Sequence, residues 1–367
     1  MQKTKTLNVL IPVLSILLAF VVGMLIILAL GKNPIEAIGF LMKGAFGSKT
    51  NLANTVVRAM PLIFTGLCTC FAYRCGVFNL GGEGQFLTGA MAAITVTLLI
   101  GHDGWWVTIL AVLAGTLAGG IWGLLPGLLK TWRGLNEMIT TIMFNYVATL
   151  FMGYLYTTAL REGSVPQTAP VPDASKIGRI IPDLRITWGI VIAVVLGIAI
   201  WYFLFYTSKG FQLRAVGFNP TASSYNGLSV KRYMLAAFIV SGAIAGLGGA
   251  CDILGTQFRL ISGYGGGYGF DGVALALIAQ LHPLATVVVA YFFAVLRVGS
   301  TTMQVGTGVP TSVIDIIQAL VIIFAVAGSS MLYLPKVKSF VANLFEGKSE
   351  GKSEKKADKV AVSKEAN

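Results

Sequence analysis

The segment Gly217-Phe218-Asn219-Pro220-Thr221-Ala222-Ser223-Ser224-Tyr225-Asn226-Gly227 carries the most specific local chemistry in this chain. Asn219 is a good helix N-cap, and Pro220 suits the first helical position, where no backbone N–H is needed. Gly227 can close the helix in a left-handed conformation. A helix this short is marginal in water and wants a surface to dock against. Two readings stand: a docking point for a partner protein, or an ordinary capped connector.

Three other segments combine polar groups with helix breakers. In Phe78-Asn79-Leu80-Gly81-Gly82-Glu83-Gly84-Gln85 the glycines interrupt an apolar stretch and place a carboxylate beside it. Non-helical backbone at membrane depth is tolerated only against protein or a water-filled cavity, and broken helices of this kind line transport paths. The competing reading is a tight turn with Glu83 facing the next helix's positive end. Asn136-Glu137 opens the run to Asn145-Tyr146; the pair suits a cap and a helix dipole, whereas Asn145 lies mid-run, where an amide must bond to another helix or to a polar solute. Gly263 to Gly272, with Asp271, is too glycine-rich for regular helix. Paired with the Asn79–Gln85 break, it suggests an inverted repeat, the two breaks entering from opposite membrane faces. Asp315 and Gln318 sit three apart in the last apolar run and so on one helical face.

The elements that must hold these groups are set by composition. Of 367 residues, 55% are hydrophobic and 11% charged, against roughly 25% charged in soluble domains; the mean hydropathy is +0.78. No polar shell can be built from this, so lipid is the solvent. The net charge of +12 sits mainly between apolar runs and in the tail, which suits loops on an anionic cytoplasmic leaflet rather than nucleic acid. Cys68, Cys70, Cys75 and Cys251 form no Cys-x-x-Cys pair, and His102 and His282 are far apart, so neither a metal site nor a disulfide framework is expected.

A bilayer core of about 30 Å needs about 20 apolar helical residues. Spans are expected near 8–30, 55–73, 85–100, 105–129, 138–160, 186–206, 233–254, 283–298 and 312–333, with 271–281 a short tenth helix or half-helix. The fold class is therefore all-α, with about 9–10 transmembrane helices. Residues 1–334 form one transmembrane domain, with 207–232 a cytoplasmic loop, and 335–367 a charged, disordered cytoplasmic tail. With the N-terminus inside, the basic clusters Lys130/Arg133, Lys209/Arg214/Lys231/Arg232 and the tail fall inside. Segment 161–185, with Pro166, Pro170, Pro172 and Pro182, reads as an ordered outer loop, although Arg161, Lys176, Arg179 and Arg185 reduce the asymmetry. Ser241-Gly242, Gly246, Gly248 and Gly249 predict close helix packing.

At these same residues the chain resembles a known family, the ABC transporter permeases for nucleosides and simple sugars. Phe78 to Gln85 resembles that family's "FNIG-EGQ" signature, with Leu80 and Gly82 in place of the usual Ile and Ala. Asn136-Glu137 with Asn145-Tyr146 resembles "NEVI…NY". Leu213 to Pro220, with Ala222 and Gly227, resembles "LRAVG-NP-AA…G", departing at Phe218 and Ser223; Gly269 to Leu277 with His282-Pro283 resembles "G-GIAVAL…HP". The match runs in order from about residue 55 to 330.

The resemblance implies a subunit of an importer in a bacterial cytoplasmic membrane, with both termini inside. A second permease chain (a paralogue), ABC ATPase subunits and an extracytoplasmic substrate-binding lipoprotein would be its partners. Gly217, Asn219, Pro220, Thr221, Ala222, Ser223 and Gly227 would couple it to the ATPase, and nucleosides are the implied cargo. Candidates for the translocation path are Asn79, Glu83, Gln85, Asn136, Glu137, Asn145, Tyr146, Asp315 and Gln318. The chain has no Gly-x-x-x-x-Gly-Lys-Ser/Thr loop, so ATP and magnesium would bind on the partner and this chain would be no enzyme itself. The rival reading is an ion-coupled secondary transporter using Glu83, Asp252, Asp271 or Asp315. An intramembrane enzyme lacks a recognisable catalytic set.

Overall fold

Helix caps written into the sequence delimit most of the elements. The computed structural model describes residues 17–101, 104–181 and 183–331. Helix α1 (Leu17–Ala29) leads to α2 (Pro34–Phe46), capped by Asn33 with Pro34 in its first turn. Ser48 caps α3 (Lys49–Arg74), accepting from Asn51 N at 3.1 Å. There follow α4 (Gly82–Ile100), α5 (Trp105–Arg133), α6 (Glu137–Tyr154) and α7 (Trp188–Tyr206). The chain continues with α8 (Ser208–Phe218), α9 (Pro220–Tyr225), α10 (Val230–Asp252), α11 (Tyr268–Ile278), α12 (Pro283–Thr307) and α13 (Ser312–Met331). Single π turns extend α6 over Leu155–Ala159 and α10 over Ile253–Gln257.

Seven of these helices are long and apolar enough to cross a membrane, and eight if α1 and α2, bent by 117°, count as one span. All nine expected spans fall on helices, but the runs at 271–281 and 312–333 land on the shorter α11 and α13. At 1.5 Å per residue α11 covers only about half a bilayer core. Helix α2 has no counterpart among the expected spans. Residues 8–16 of the first expected span and the charged tail lie outside the described residues.

The chain divides into two units. In the smaller, formed among the described residues by 17–23 and 317–331, Gly23 lies against Ile317, and Ala19, Val321 and Ala325 are buried. The larger, Met24–Ile316, is built on α3, α4, α5 and α10. Its tightest seam is glycine on glycine. A Cβ on Gly246 would meet the Gly119 Cα at 2.8 Å and its amide nitrogen at 3.0 Å; Gly242 faces Gly119 and Gly123, and Gly89 faces Gly246. In lipid, where apolar side chains have no water to escape, this close van der Waals contact holds helices together. The expected small-residue packing of α10 is therefore present. Gly246→Val should destabilise by about 1–3 kcal/mol or more, since only backbone atoms surround the new methyls. Thermal unfolding in detergent checks this; an unchanged midpoint would contradict the seam.

The seam also fixes directions. Along α5 and α10, Gly115–Gly246, Gly123–Gly242 and Gly127–Phe238 are neighbours, so the two run antiparallel. Helix α4 is antiparallel to α5, and α11 runs alongside α3, with Thr65 against Gly272 and Gly66 near Leu275. Contacts of Phe64 with Gly248, and of Met60 and Cys251 with Gly189, set α3 antiparallel to α10. Segment 161–185 is ordered at the far end of α10. Thr168 N donates to Leu260 O at 3.2 Å, Val171 N to Phe258 O at 2.9 Å and Ile177 N to Leu254 O at 3.0 Å. Lys176, paired with Asp173, lies over the Phe258 ring. That pairing holds the exposed Asp173 carboxyl below its ordinary pKa.

Candidate functional site

Two helix starts meet inside the bundle. After α3 the chain re-enters from the 207–232 end through residues 76–81 and begins α4 beside Cys68. After α10 it returns from the opposite end and begins α11 at Tyr268. Their first turns touch: a Cβ on Gly269 would strike the Glu83 backbone. Glu83, 8% exposed, spans the junction, Oε1 accepting from Gly267 N at 3.1 Å and Oε2 from Gly269 N at 2.6 Å. Gly267, at φ +85°, has no side chain with which to cap α11; Glu83 caps it from another helix. One carboxylate thus faces two positive helix ends. The two breaks enter from opposite ends and leave in opposite directions, the arrangement an inverted repeat requires.

The polar side chains around this crossing satisfy one another. Asn79 and Gln85 exchange amide hydrogen bonds, Asn79 Nδ2 to Gln85 Oε1 at 3.0 Å and Gln85 Nε2 to Asn79 Oδ1 at 3.2 Å. Asn79 also donates to Ser241 Oγ at 2.9 Å and accepts from Gly81 N at 2.9 Å. Asn145 spans the break: Gly84 N donates to its Oδ1 at 2.8 Å, and its Nδ2 donates to Leu80 O at 2.9 Å. Leu80 N donates to Thr141 Oγ1 at 3.2 Å. The backbone groups freed by the glycine break are thus paired by side chains of α6, as a buried break demands.

The remaining candidates lie elsewhere. Asn136 caps α6, accepting from Met138 N at 2.9 Å, and Glu137 pairs with Lys130 at 2.6 Å, tying α6 to the end of α5. Tyr146 is 66% exposed, on a stripe with Ile139, Met143, Leu150 and Tyr154. On α13 Asp315 is exposed and Gln318, three residues further along the same helix, is buried. Asp271 is ion-paired with Arg297 at 2.5 Å.

The 207–232 loop holds two helices where one was expected. Thr207 Oγ1 caps α8, accepting from Gly210 N at 3.0 Å. Asn219 then caps α9, accepting from Ala222 N at 3.0 Å; Asn226 Nδ2 donates back to Ala222 O at 3.0 Å, and Gly227 closes the turn at φ +78°. Only Ser223 of α9 is buried. Thr221, Ala222 and Tyr225 are exposed, as are Phe218 and Asn219 before them, with Phe218 at 81% and Tyr225 at 88%. Two large aromatic side chains therefore flank an exposed capped rod.

This rod is anchored to the bundle through Gly217, which the sequence singled out, and Arg74, which it did not. A Cβ on Gly217 would collide with Arg74 O and lie 2.8 Å from Cys75 C and 2.9 Å from Gly76 N. Arg74 Nε in turn donates to Leu281 O at 2.8 Å, and its Nη2 to Gln280 O at 3.3 Å. Gln280 and Leu281 hold left-handed φ values of +53° and +57° in the turn between α11 and α12. Arg74 and Arg214 both lie over the Phe205 ring, at 5.4 and 4.8 Å, and Phe205 stacks on His282 at 5.5 Å. Burial and the neighbouring Arg74 charge hold the His282 pKa below its ordinary value, so its Nδ1 is free to accept from Ala285 N and cap α12.

The sequence is similar to those of known proteins. The family described as "Branched-chain amino acid transport system / permease component" matches residues 51–326. The guanosine ABC transporter permease protein NupP of Bacillus subtilis is 34% identical, over 92% of this chain and 98% of its own. The glucose ABC transporter permease protein TsgB13 of Haloferax volcanii is 33% identical, over 86% of each. The nucleoside ABC transporter permease protein NupB of Lactococcus lactis is 31% identical, over 93% of this chain and 97% of its own. A second permease from each of those two bacteria, NupQ and NupC, also matches, at 27% identity over 65% and 66% of this chain. No solved structure matches. A chain so covered by these relatives, with the bent and broken helices described above, belongs to the ABC transporter permeases of this family and is a multi-pass membrane subunit.

Proposed function

We propose that this importer subunit carries nucleosides, that α9 is its seat on a separate ABC ATPase, and that the 207–232 end faces the cytoplasm. Two near-full-length relatives named for guanosine and nucleoside transport support the cargo. Orientation is supported by the grouping of Lys130, Arg133, Lys209, Arg214, Lys231 and Arg232 in the helix ends and loops of that end. ATP and magnesium then bind on the ATPase, and a lipid-anchored binding protein delivers substrate to the opposite end. The second permease is a paralogue of the NupQ or NupC kind, because this chain aligns with NupP and NupB over nearly its whole length and with their counterparts over two thirds.

The observation that carries the coupling role is the exposed, doubly capped α9 with Phe218 and Tyr225 beside it. Exposed aromatic anchors are the residues that dominate protein interfaces. ATP closure moves α9 as a rigid piece, and Gly217 passes that motion to the end of α3. Arg74 hands it to the turn at 280–282 and so to α11, whose other end meets Glu83. Ion-coupled transport is not favoured: the near-full-length relatives are named as ABC transporter permeases.

Ala222→Asp puts a charge on the exposed face of α9 without touching a buried contact. Substrate uptake should be lost while the thermal midpoint and ATPase assembly stay normal. Normal uptake with normal assembly would refute the coupling role.

A further inference from the structure

At the end of the larger unit opposite the 207–232 loop, a polar cavity of about 490 Å³ opens between α2, α3, α12 and the π turn of α10. That volume is in the range of small-molecule sites, roughly 300–1,000 Å³. Its floor is Tyr268, 5% exposed, the residue before Gly269 at the helix crossing. Arg58 and Arg297 lie 5.6 and 5.5 Å from the Tyr268 ring centroid. Asp252 lines the same cavity at only 2% exposure, and its Oδ2 has no hydrogen-bond partner among the described residues. Thr256, one helical turn on, also lines it and also leaves its Oγ1 unpartnered. Buried polar atoms are very seldom left unpaired, and Asp252 Oδ2, with the Thr256 and Tyr264 hydroxyls beside its carboxylate, calls for a donor from the cavity side.

The charges define that ligand. A cation would meet Arg58, Arg185 and Arg297, and an anion would meet Asp252. Arg297 is already neutralised by Asp271. A neutral molecule with adjacent donors for the Asp252 carboxylate and acceptors for Arg58 and Asn54 suits this mixed lining. We propose that this cavity is a substrate-binding site for a neutral sugar, in which Asp252 and Thr256 take the vicinal hydroxyls of a ribose or a hexose. The inference rests on the transport reading above and extends it to named residues. Tyr268 lines the cavity and precedes Gly269 in the chain, so the site adjoins the residue that meets Glu83.

The test uses the complete transporter in whole cells carrying Gln257→Cys, at an exposed position of the cavity lining that makes none of the proposed contacts. The four native cysteines are all buried, so a membrane-impermeant methanethiosulfonate reagent reads the new thiol. Modification is expected, and uridine at about ten times its Kd should slow it about tenfold, since only the unoccupied site reacts. The matched 2′,3′-dideoxyuridine should not. Adding Asp252→Asn should abolish the protection while modification persists. Glucose as a further arm separates the two sources of the diol: protection by uridine alone assigns a ribonucleoside, and protection by glucose assigns a hexose. Should Gln257→Cys fail to assemble, Thr301→Cys in the same cavity gives the same readout. No modification of either thiol, equal protection by the dideoxy compound, protection by leucine, or protection surviving Asp252→Asn would each overturn the site. Uridine uptake measured in the same cells separates the two readings. Uptake without protection removes this site and leaves the nucleoside reading; absence of both uptake and protection for every sugar tested removes both.

Discussion

Replacing Glu83 by alanine should be among the most destabilising single changes in this protein. The substitution leaves Gly267 N–H and Gly269 N–H without acceptors inside the bundle, each orphan costing about 1–3 kcal/mol. It also removes the carboxylate that faces the starts of both α4 and α11, a loss of roughly 0.3–1 kcal/mol per helix end. A loss of about 2–6 kcal/mol follows from the two orphaned donors. Glu83→Gln should fall between wild type and alanine, because the amide keeps one acceptor but turns an NH2 group toward a backbone N–H. Gly269→Ala attacks the same contact from the other side, since its Cβ would overlap the Glu83 backbone. Thermal unfolding in detergent should therefore rank wild type above Glu83→Gln and Glu83→Gln above Glu83→Ala. An alanine variant as stable as wild type would mean that the carboxylate does not cap α11.

Local chemistry made part of this legible in the sequence. Asn219, Pro220 and Gly227 specify α9 within a few residues, and the cap, first turn and left-handed stop all form. The same Asn-Pro signal stands at Asn33-Pro34 and caps α2, yet α2 was not anticipated, because a window tuned to membrane spans passes over a 13-residue helix. Glycine runs located both helix breaks. What they could not show is that the breaks touch: Glu83 and Gly269 are far apart in the chain, and no periodicity encodes their contact. The amide network is a similar case. Asn79, Gln85 and Asn145 were singled out for being polar in apolar surroundings, and only the fold reveals that they bond to one another and to broken backbone. The Asp252 cavity draws on α2, α3, α10, α11, α12 and the 161–185 loop, and its Arg297 stood out in no sequence pattern. Arg74 was equally silent, because its partners are main-chain carbonyls, which leave no mark in a side-chain pattern.

Gly217→Ala should separate ATP hydrolysis from transport. The added methyl has no room: its nearest neighbours are the Arg74 carbonyl oxygen and backbone atoms of Cys75 and Gly76, none of which can rotate aside as a side chain would. Helix α8 must lift from α3, while α9, capped by its own residues, keeps its shape. The ATPase seat survives and its connection to the bundle is loosened. Substrate moved per ATP hydrolysed should fall by about tenfold, well within the usual range of coupling free energies between sites. Arg74→Ala breaks the next contact, releasing the Leu281 and Gln280 carbonyls, and should have the same signature. Arg74→Lys should not restore it, because an ammonium cannot span two carbonyls and lie flat over Phe205 as a guanidinium does. If the two contacts act in series, the double variant Gly217→Ala/Arg74→Ala should be scarcely worse than either alone, since a broken link cannot be broken twice. A purely structural role predicts otherwise: uptake and ATPase activity would decline together with the amount of assembled complex, and the two losses would add.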